Sequence, residues 1–254
     1  MPLIPLSQIS GLSARLVATD MDGTLTIANK FTPALLQALE TLGAKEIPVV
    51  IVTGRSAGWV SGIAHYLPVA GAIAENGGIY YPANSDQPSW LVTLPDVAQH
   101  RQHLAEAFYK LQADFPQIQE SADNRFRLTD WTFDVWGLTP EELQTISDRC
   151  QEWGWGFTYS TVQCHIKLWQ QSKAAGLQQV LAHWFDRCAP EQVITVGDSP
   201  NDESLFEAKQ FPVSVGVANI RDYCDRLTHL PTYITTTPEG DGFYELSQQL
   251  QLAN

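Results

Sequence analysis

Two carboxylates stand one residue apart in Asp20-Met21-Asp22-Gly23-Thr24. At that spacing one can act as a nucleophile or metal ligand while the other moves a proton, and Gly23 permits a tight turn. Such a pattern arises by chance in on the order of one in two hundred chains of this size; the bland alternative is a polar turn with a helix cap. Thr53-Gly54-Arg55 places a hydroxyl and backbone N–H groups where a helix begins, which suits an anion, although Thr-Gly is also an ordinary strand exit. Lys173 opens a predicted helix over 173–184; taken alone, a lysine there is usually solvated. Gly197-Asp198-Ser199-Pro200-Asn201-Asp202 is an acidic, amide-bearing turn. Its oxygens can hold a divalent cation, or Ser199 or Asn201 can cap a helix with Asp202 complementing the dipole.

The elements that must position these residues alternate. Segments over 14–19, 48–52, 69–74, 193–196 and 211–216 read as strands, and the continuous apolar run 48–52 as one covered on both faces. Between them lie helical patterns. In one, Thr32 is the N-cap, Pro33 the first helical residue, and Leu35, Leu36, Leu39 and Leu42 form one face. Others cover 56–67, 173–184 and 202–209. This is the pattern of an α/β fold, a Rossmann-like doubly wound parallel sheet, which places ligands at the C-terminal strand ends where the four motifs fall. Residues 83–168 differ. Longer amphipathic strands over 126–135 and 157–168, with helices over 97–113 and 140–153, predict an inserted α+β domain between core segments 1–82 and 169–254. Six of the eight tryptophans lie from Trp90 to Trp169. Strand alternation puts Arg127, Thr129, Trp131, Phe133 and Val135 on one face, and Asp130, Asp134 and Trp136 on the other.

The formal charge of −13 opposes nonspecific binding to nucleic acid or anionic membrane. A small anionic substrate remains compatible, provided cations gather locally. Apolar residues make up 44% of the chain, enough for a core, and no run approaches a membrane span. Pro2 and Pro5 interrupt the opening stretch, unlike a secretory signal. Cys150, Cys164, Cys188 and Cys224 show no C-x-x-C pairing and read as free thiols in a cytoplasmic protein.

Taken together and in this order, the four motifs resemble the haloacid dehalogenase (HAD) superfamily of aspartate-nucleophile phosphohydrolases, and within it the Cof-type, sucrose-phosphate-phosphatase-like branch with a type IIB cap. Glu75-Asn76-Gly77-Gly78, residues 213–219 and Asp241-Gly242 are similar to further segments of that branch. The resemblance implies that Asp20 attacks phosphorus and that Asp22 protonates the leaving oxygen and then activates water. It further implies that Thr53 and Lys173 hold the phosphoryl oxygens with Gly54 and Asn201 assisting. Mg²⁺ would be bound by Asp20, the backbone carbonyl of Asp22 and Asp198, with Asp202 directly or through water. The implied substrate is a small phosphorylated metabolite, a sugar phosphate in the first instance, with the inserted cap setting specificity. A carboxylate paired with Mg²⁺ and Lys173 is also what a dianionic monoester requires, because nothing else offsets the repulsion.

Three rivals stand beside this reading: a phosphomutase, a phosphatase of a nucleotide or cofactor phosphate, and a phospho-accepting signalling module. D-x-D after the first strand and a large insertion both speak against the last. Gln163 and His165 lie on the strand leading back to Lys173 and are candidate substrate contacts. His100 and His103, at i and i+3 of an expected exposed helix, lack the neighbours a metal site needs.

Overall fold

Val17, Val49 and Ile51 pack to one side of a sheet, whereas Leu16, Ala18, Val50 and Val52 pack to the other. That division explains why these runs carry no polar alternation. The computed structural model of the chain describes residues 3–9, 11, 13–85 and 87–252. Its strands are β1 (Ile4–Pro5), β2 (Leu16–Thr19), β3 (Val49–Val52), β4 (Gly71–Ala74), β5 (Ile79–Pro82), β6 (Ser89–Trp90), β7 (Asp130–Asp134), β8 (Trp155–Tyr159), β9 (Gln163–Leu168), β10 (Val193–Gly197), β11 (Val213–Gly216) and β12 (Tyr233–Ile234). Nine form one sheet in the order β1-β12-β11-β10-β2-β3-β4-β5-β6. It is parallel from β1 to β4, and β5 and β6 add an antiparallel edge. The expected boundary at residue 83 therefore cuts this edge, because β6 pairs back onto β5.

The helices are α1 (Pro33–Ala44), α2 (Ala57–Tyr66), α3 (Val97–Asp114), α4 (Pro140–Glu152), α5 (Lys173–Trp184) and α6 (Glu239–Leu252). Helices α1, α2 and α6 cover one face of the large sheet and α5 the other. Thr32 caps α1, its hydroxyl accepting from Leu35 N at 3.3 Å, with Pro33 in the first turn. Leu35, Leu39 and Leu42 are buried as expected, but Leu36 is 44% exposed. No helix among the described residues is long and apolar enough to cross a membrane.

Strands β7, β9 and β8 make a separate antiparallel sheet in that order. Phe133, Cys164 and Ile166 pack on α3 and α4, with Leu104, Phe108, Leu111, Leu143 and Ile146. The other face presents Asp130, Thr132, Gln163, His165 and Lys167, and it too is buried. A polar face buried without an apolar partner must be satisfied by hydrogen bonds, and it is here that this sheet meets the large one.

Three local expectations change. Residues 126–135 are not one strand: 122–126 form a 3₁₀ turn and β7 begins only at Asp130. The intervening Leu128 and Thr129 N–H groups are drawn off by the Glu75 carboxylate, so Arg127 leaves the expected face and reaches Asp130. Residues 157–168 are a hairpin, because Ser160 Oγ accepts from Val162 N and Gln163 N and turns the chain between β8 and β9. The helix expected over 202–209 is a 3₁₀ stretch, Pro200–Phe206. The Asp202 carboxylate is pulled back under this turn by the N–H groups of Asp198 and Ser199.

Candidate active site

The turn after each central strand delivers one functional group. Asp20 N donates to Val196 O at 2.9 Å, which levels the ends of β2 and β10. Asp20 and Asp198 thus emerge side by side. Thr53 N donates to Ile73 O and Asn76 N to Thr53 O, tying the ends of β3 and β4 in the same way. Lys173 is the first residue of α5, capped by Ser172, whose hydroxyl accepts from Ala175 N at 3.1 Å. That first turn rests directly on Gly77, which has φ +101°, and a Cβ there would lie 2.1 Å from Ser172 O. Gly77→Ala is therefore expected to cost about 2–4 kcal/mol, combining left-handed backbone strain with overpacking. It should also lower kcat by moving Lys173. Denaturant titration beside phosphate release checks this; wild-type values for both would show that the loop yields freely.

Charge converges on these turns. The Lys173 ammonium, fully buried, donates to Asp20 Oδ1 and to Asp202 Oδ1, the latter at 2.6 Å. Asp202 Oδ2 accepts from Asp198 N and Ser199 N at 3.0 and 3.1 Å. Asp198 accepts from Thr24 Oγ1 at 3.2 Å and Asn219 Nδ2 at 2.8 Å. The buried carboxylates of Asp20, Asp198 and Asp202 offer oxygen atoms within 4.8 Å of one another. Burial pushes Asp20 up to about 7, against the pull of Lys173 and with Asp202 and Asp22 adding to it. Burial, with Asp20 and Asp202 adding to it, drives Asp198 well above the usual carboxylate range. One ammonium does not balance three buried carboxylates. A compact all-oxygen set of this charge fits a hard divalent cation such as Mg²⁺.

The side chain of Asp22 takes no part in that cluster. It is gripped bidentately by Arg55, at 2.8 Å to Nε and 2.7 Å through the second nitrogen. Arg55 was visible in the sequence only as the tail of Thr53-Gly54-Arg55; nothing local showed that its fork closes on Asp22.

Opposite the carboxylates lie Thr53, Gly54, Asn76 and Asn201. Asn201 Nδ2 donates to Asn76 Oδ1 at 3.2 Å. Asn76 Nδ2, wholly buried, has no acceptor and would lie 3.2 Å from a Cβ on Gly54. An orphaned buried donor is costly unless an oxygen meets it. A small cavity of about 20 Å³, lined by Asp20, Asp22, Thr53, Gly54, His165 and Asn201 among others, opens here. That is room for about one water.

The second sheet closes this cavity from above. His165 sits over Gly54, its ring 3.0 Å from where a Cβ would be, so any larger residue there would press on the ring. His165 Nδ1 pairs with Asp130 Oδ2 at 2.8 Å, and burial holds the imidazole below its ordinary value despite that carboxylate. Gln163 also lines the cavity, but both ends of its amide are engaged, by Arg127 at 2.9 Å and Asp123 at 3.2 Å. Arg127, unexposed, binds Asp123, Asp130 and the carbonyl of Gly54, the last at 2.9 Å, and so fastens the two sheets together. Glu75 does the same from below. Its carboxylate accepts from Ala57 N, Leu128 N, Thr129 N and Thr129 Oγ1. Neither Arg127 nor Glu75 stood out as a joining residue in the sequence. His100 is buried rather than exposed, its Nε2 3.0 Å from Thr129 O, which gives it a structural partner.

The family model for haloacid dehalogenase-like hydrolases matches residues 17–130 and 138–246. A phosphoglycolate phosphatase from Methanothrix thermoacetophila is 28% identical over 248 residues, spanning 93% of this chain and 97% of that protein. Among solved structures, the Thermoplasma acidophilum 0175 protein superposes with a TM-score of 0.74 at 19% identity, covering 94% of this chain and 99% of its own. The sucrose-phosphatase of Synechocystis sp. PCC6803, solved with sucrose and phosphate, gives 0.68 at 17% identity, with 96% and 99% covered. The match takes in every strand end that carries a functional group, and this chain belongs to the haloacid dehalogenase-like hydrolases.

Proposed function

We propose that this chain, a phosphoric monoester hydrolase, cleaves a small phosphorylated metabolite through an aspartyl-phosphate on Asp20. The observation that carries the reading is the cluster itself: three buried carboxylates lie together, two of them on one ammonium, beside an orphaned amide donor and the Thr53 hydroxyl. The Asp20 carboxylate attacks phosphorus while Asp22 gives a proton to the departing oxygen. Asp22 then takes a proton from the water that attacks the acyl-phosphate, releasing phosphate and restoring Asp20. Thr53, Gly54, Lys173 and Asn201 hold the equatorial oxygens, with Asn76 Nδ2 as an added donor. Mg²⁺ held by Asp20, the carbonyl of Asp22, Asp198 and Asp202 supplies charge neutralisation for the dianionic phosphoryl group. The Arg55 fork fixes the position of the Asp22 carboxylate beside Asp20.

Residues 83–168, apart from the β6 edge, act as the cap over core segments 1–82 and 169–254. A cavity of about 20 Å³ cannot hold a phosphate ester, so the cap opens for entry and closes to shield the acyl-phosphate from water. His165 and Gln163 line the cavity beside Asp20, and His165 is the freer of the two because both ends of the Gln163 amide are engaged. Two substrate classes follow from the relatives: a sugar phosphate, as in the sucrose-phosphatase, and a phosphorylated hydroxy acid, as in the phosphoglycolate phosphatase.

Phosphate release from a panel of both classes, with Mg²⁺ and in excess chelator, tests the reading. Chelation is expected to lower turnover by at least about 100-fold, since the carboxylate cluster then has only Lys173 to offset it. Full activity in chelator after metal-free preparation overturns the mechanism.

A further inference from the structure

Lys167 is a buried cation whose neighbour across the strands, Asp130 on β7, is already held by Arg127 and His165. Its side chain is 7% exposed on β9 and lies over Gly156, and its amine donates only to Gln171 O, at 2.5 Å. It forms no ion pair among the described residues. Arg127 and Lys173, the other buried lysine or arginine side chains among the described residues, each hold two carboxylates. An ammonium withdrawn from water without a counter-ion is costly, so a lysine kept there calls for an anion that arrives from outside. Burial pulls its amine down to about 8, with Asp130 pulling the other way, and it is still mainly a cation at neutral pH.

The place for that anion is visible. Lys167 lines a cleft of about 290 Å³ together with Asn76, Thr158, Ser172, Lys173 and Asn201. Lys173 and Asn201 also belong to the phosphoryl site, so the cleft runs from that site to Lys167. Two carboxylates, Glu203 and Glu207, share the lining. Both are engaged: Glu203 accepts from Thr228 N and His229 N at 2.6 and 2.9 Å, and Glu207 accepts from Gln210 Nε2.

We propose that Lys167 binds a carboxylate on the leaving group, so that the substrate is a phosphorylated hydroxy acid rather than a neutral sugar phosphate. This rests on the phosphatase reading above. The ester P–O bond breaks, water supplies hydroxide to phosphorus and a proton to the departing oxygen, and the products are the hydroxy acid and phosphate. The carboxylate on Lys167 is chemically unchanged.

The test is steady-state phosphate release by the full chain with Mg²⁺ on three probes: 2-phosphoglycolate, ethyl phosphate (the same skeleton without the carboxylate) and p-nitrophenyl phosphate. Wild type is expected to favour 2-phosphoglycolate over ethyl phosphate by at least about tenfold in kcat/KM. Lys167→Met should lower kcat/KM for 2-phosphoglycolate about 10- to 100-fold, chiefly through KM, as for the loss of a hydrogen bond to a charged group. The other two probes should stay within about threefold, a bound well inside that loss. Its melting temperature should hold or rise, because an unpaired buried charge is gone. Lys167→Gln should repeat the pattern, and it decides the question should the Met variant not fold. Equal wild-type rates on 2-phosphoglycolate and ethyl phosphate overturn the proposal. So does a loss shared equally by all three probes with a lowered melting temperature, which assigns Lys167 a structural role on Gln171. Wild type releasing phosphate from none of the probes, p-nitrophenyl phosphate included, overturns the phosphatase reading itself.

Discussion

Asp20→Asn is expected to keep the fold and lower kcat by about 10⁴-fold or more, the scale on which enzymes lose activity when a nucleophile is removed. The amide is isosteric, so the position after β2 and the backbone bond to Val196 are retained. What disappears is the negative oxygen that must reach phosphorus, together with one oxygen of the metal-binding set. Because Asp20 is buried beside two other carboxylates, losing its charge relieves repulsion, and the melting temperature should hold or rise without metal. Loss of turnover alongside retained or increased stability separates a nucleophile from a structural residue. Asp22→Asn should slow both chemical steps and also release Arg55, giving a smaller loss of turnover. Normal phosphate release by purified Asp20→Asn protein means that the nucleophile is elsewhere.

Lys173→Met has the largest expected effect on stability. It removes the one ammonium that Asp20 and Asp202 share, leaving both carboxylates buried and unpaired at a cost of about 3–5 kcal/mol. At this chain length that corresponds to a fall of roughly 6–20 °C in melting temperature. The deficit should depend on pH in a defined direction. Asp20 already sits at about 7 when folded, above its ordinary value of 3.8, and loss of Lys173 raises it further. A carboxyl whose folded value is raised favours the folded state below its unfolded value and loses that contribution as pH rises through the folded one. The variant's deficit should therefore be greatest near pH 8 and shrink towards pH 5. Added Mg²⁺ should recover part of it by binding the folded cluster. Turnover should fall with it, since Lys173 is also proposed to hold the phosphoryl oxygens. Thermal melts across pH, with and without Mg²⁺, decide the matter; a variant as stable as wild type at pH 8 shows that the cluster does not need its ammonium.

The large sheet was legible in the sequence because its signals are local. Uninterrupted apolar runs at 16–19 and 49–52 have only one use in an alternating α/β chain, burial on both faces, and Thr32-Pro33 announces a helix start through bonds within four residues. The turns holding Asp20, Thr53 and Asp198 follow directly from where those strands stop. Tertiary structure decided the rest. Whether 126–135 forms one strand depends on Glu75, some fifty residues away, taking the N–H groups of Leu128 and Thr129. Arg55 closing on Asp22, Arg127 reaching the carbonyl of Gly54, and the orphaned amide of Asn76 all join segments that are remote or separated by a strand and a turn. Alternation along β9 puts Gln163, His165 and Lys167 on one face but does not say that the face is buried. Only the meeting of the two sheets distinguishes Gln163, fully engaged, from Lys167, which holds a charge and forms no ion pair among the described residues. Pairing and solvation are properties of an environment, and no short stretch of chain carries them.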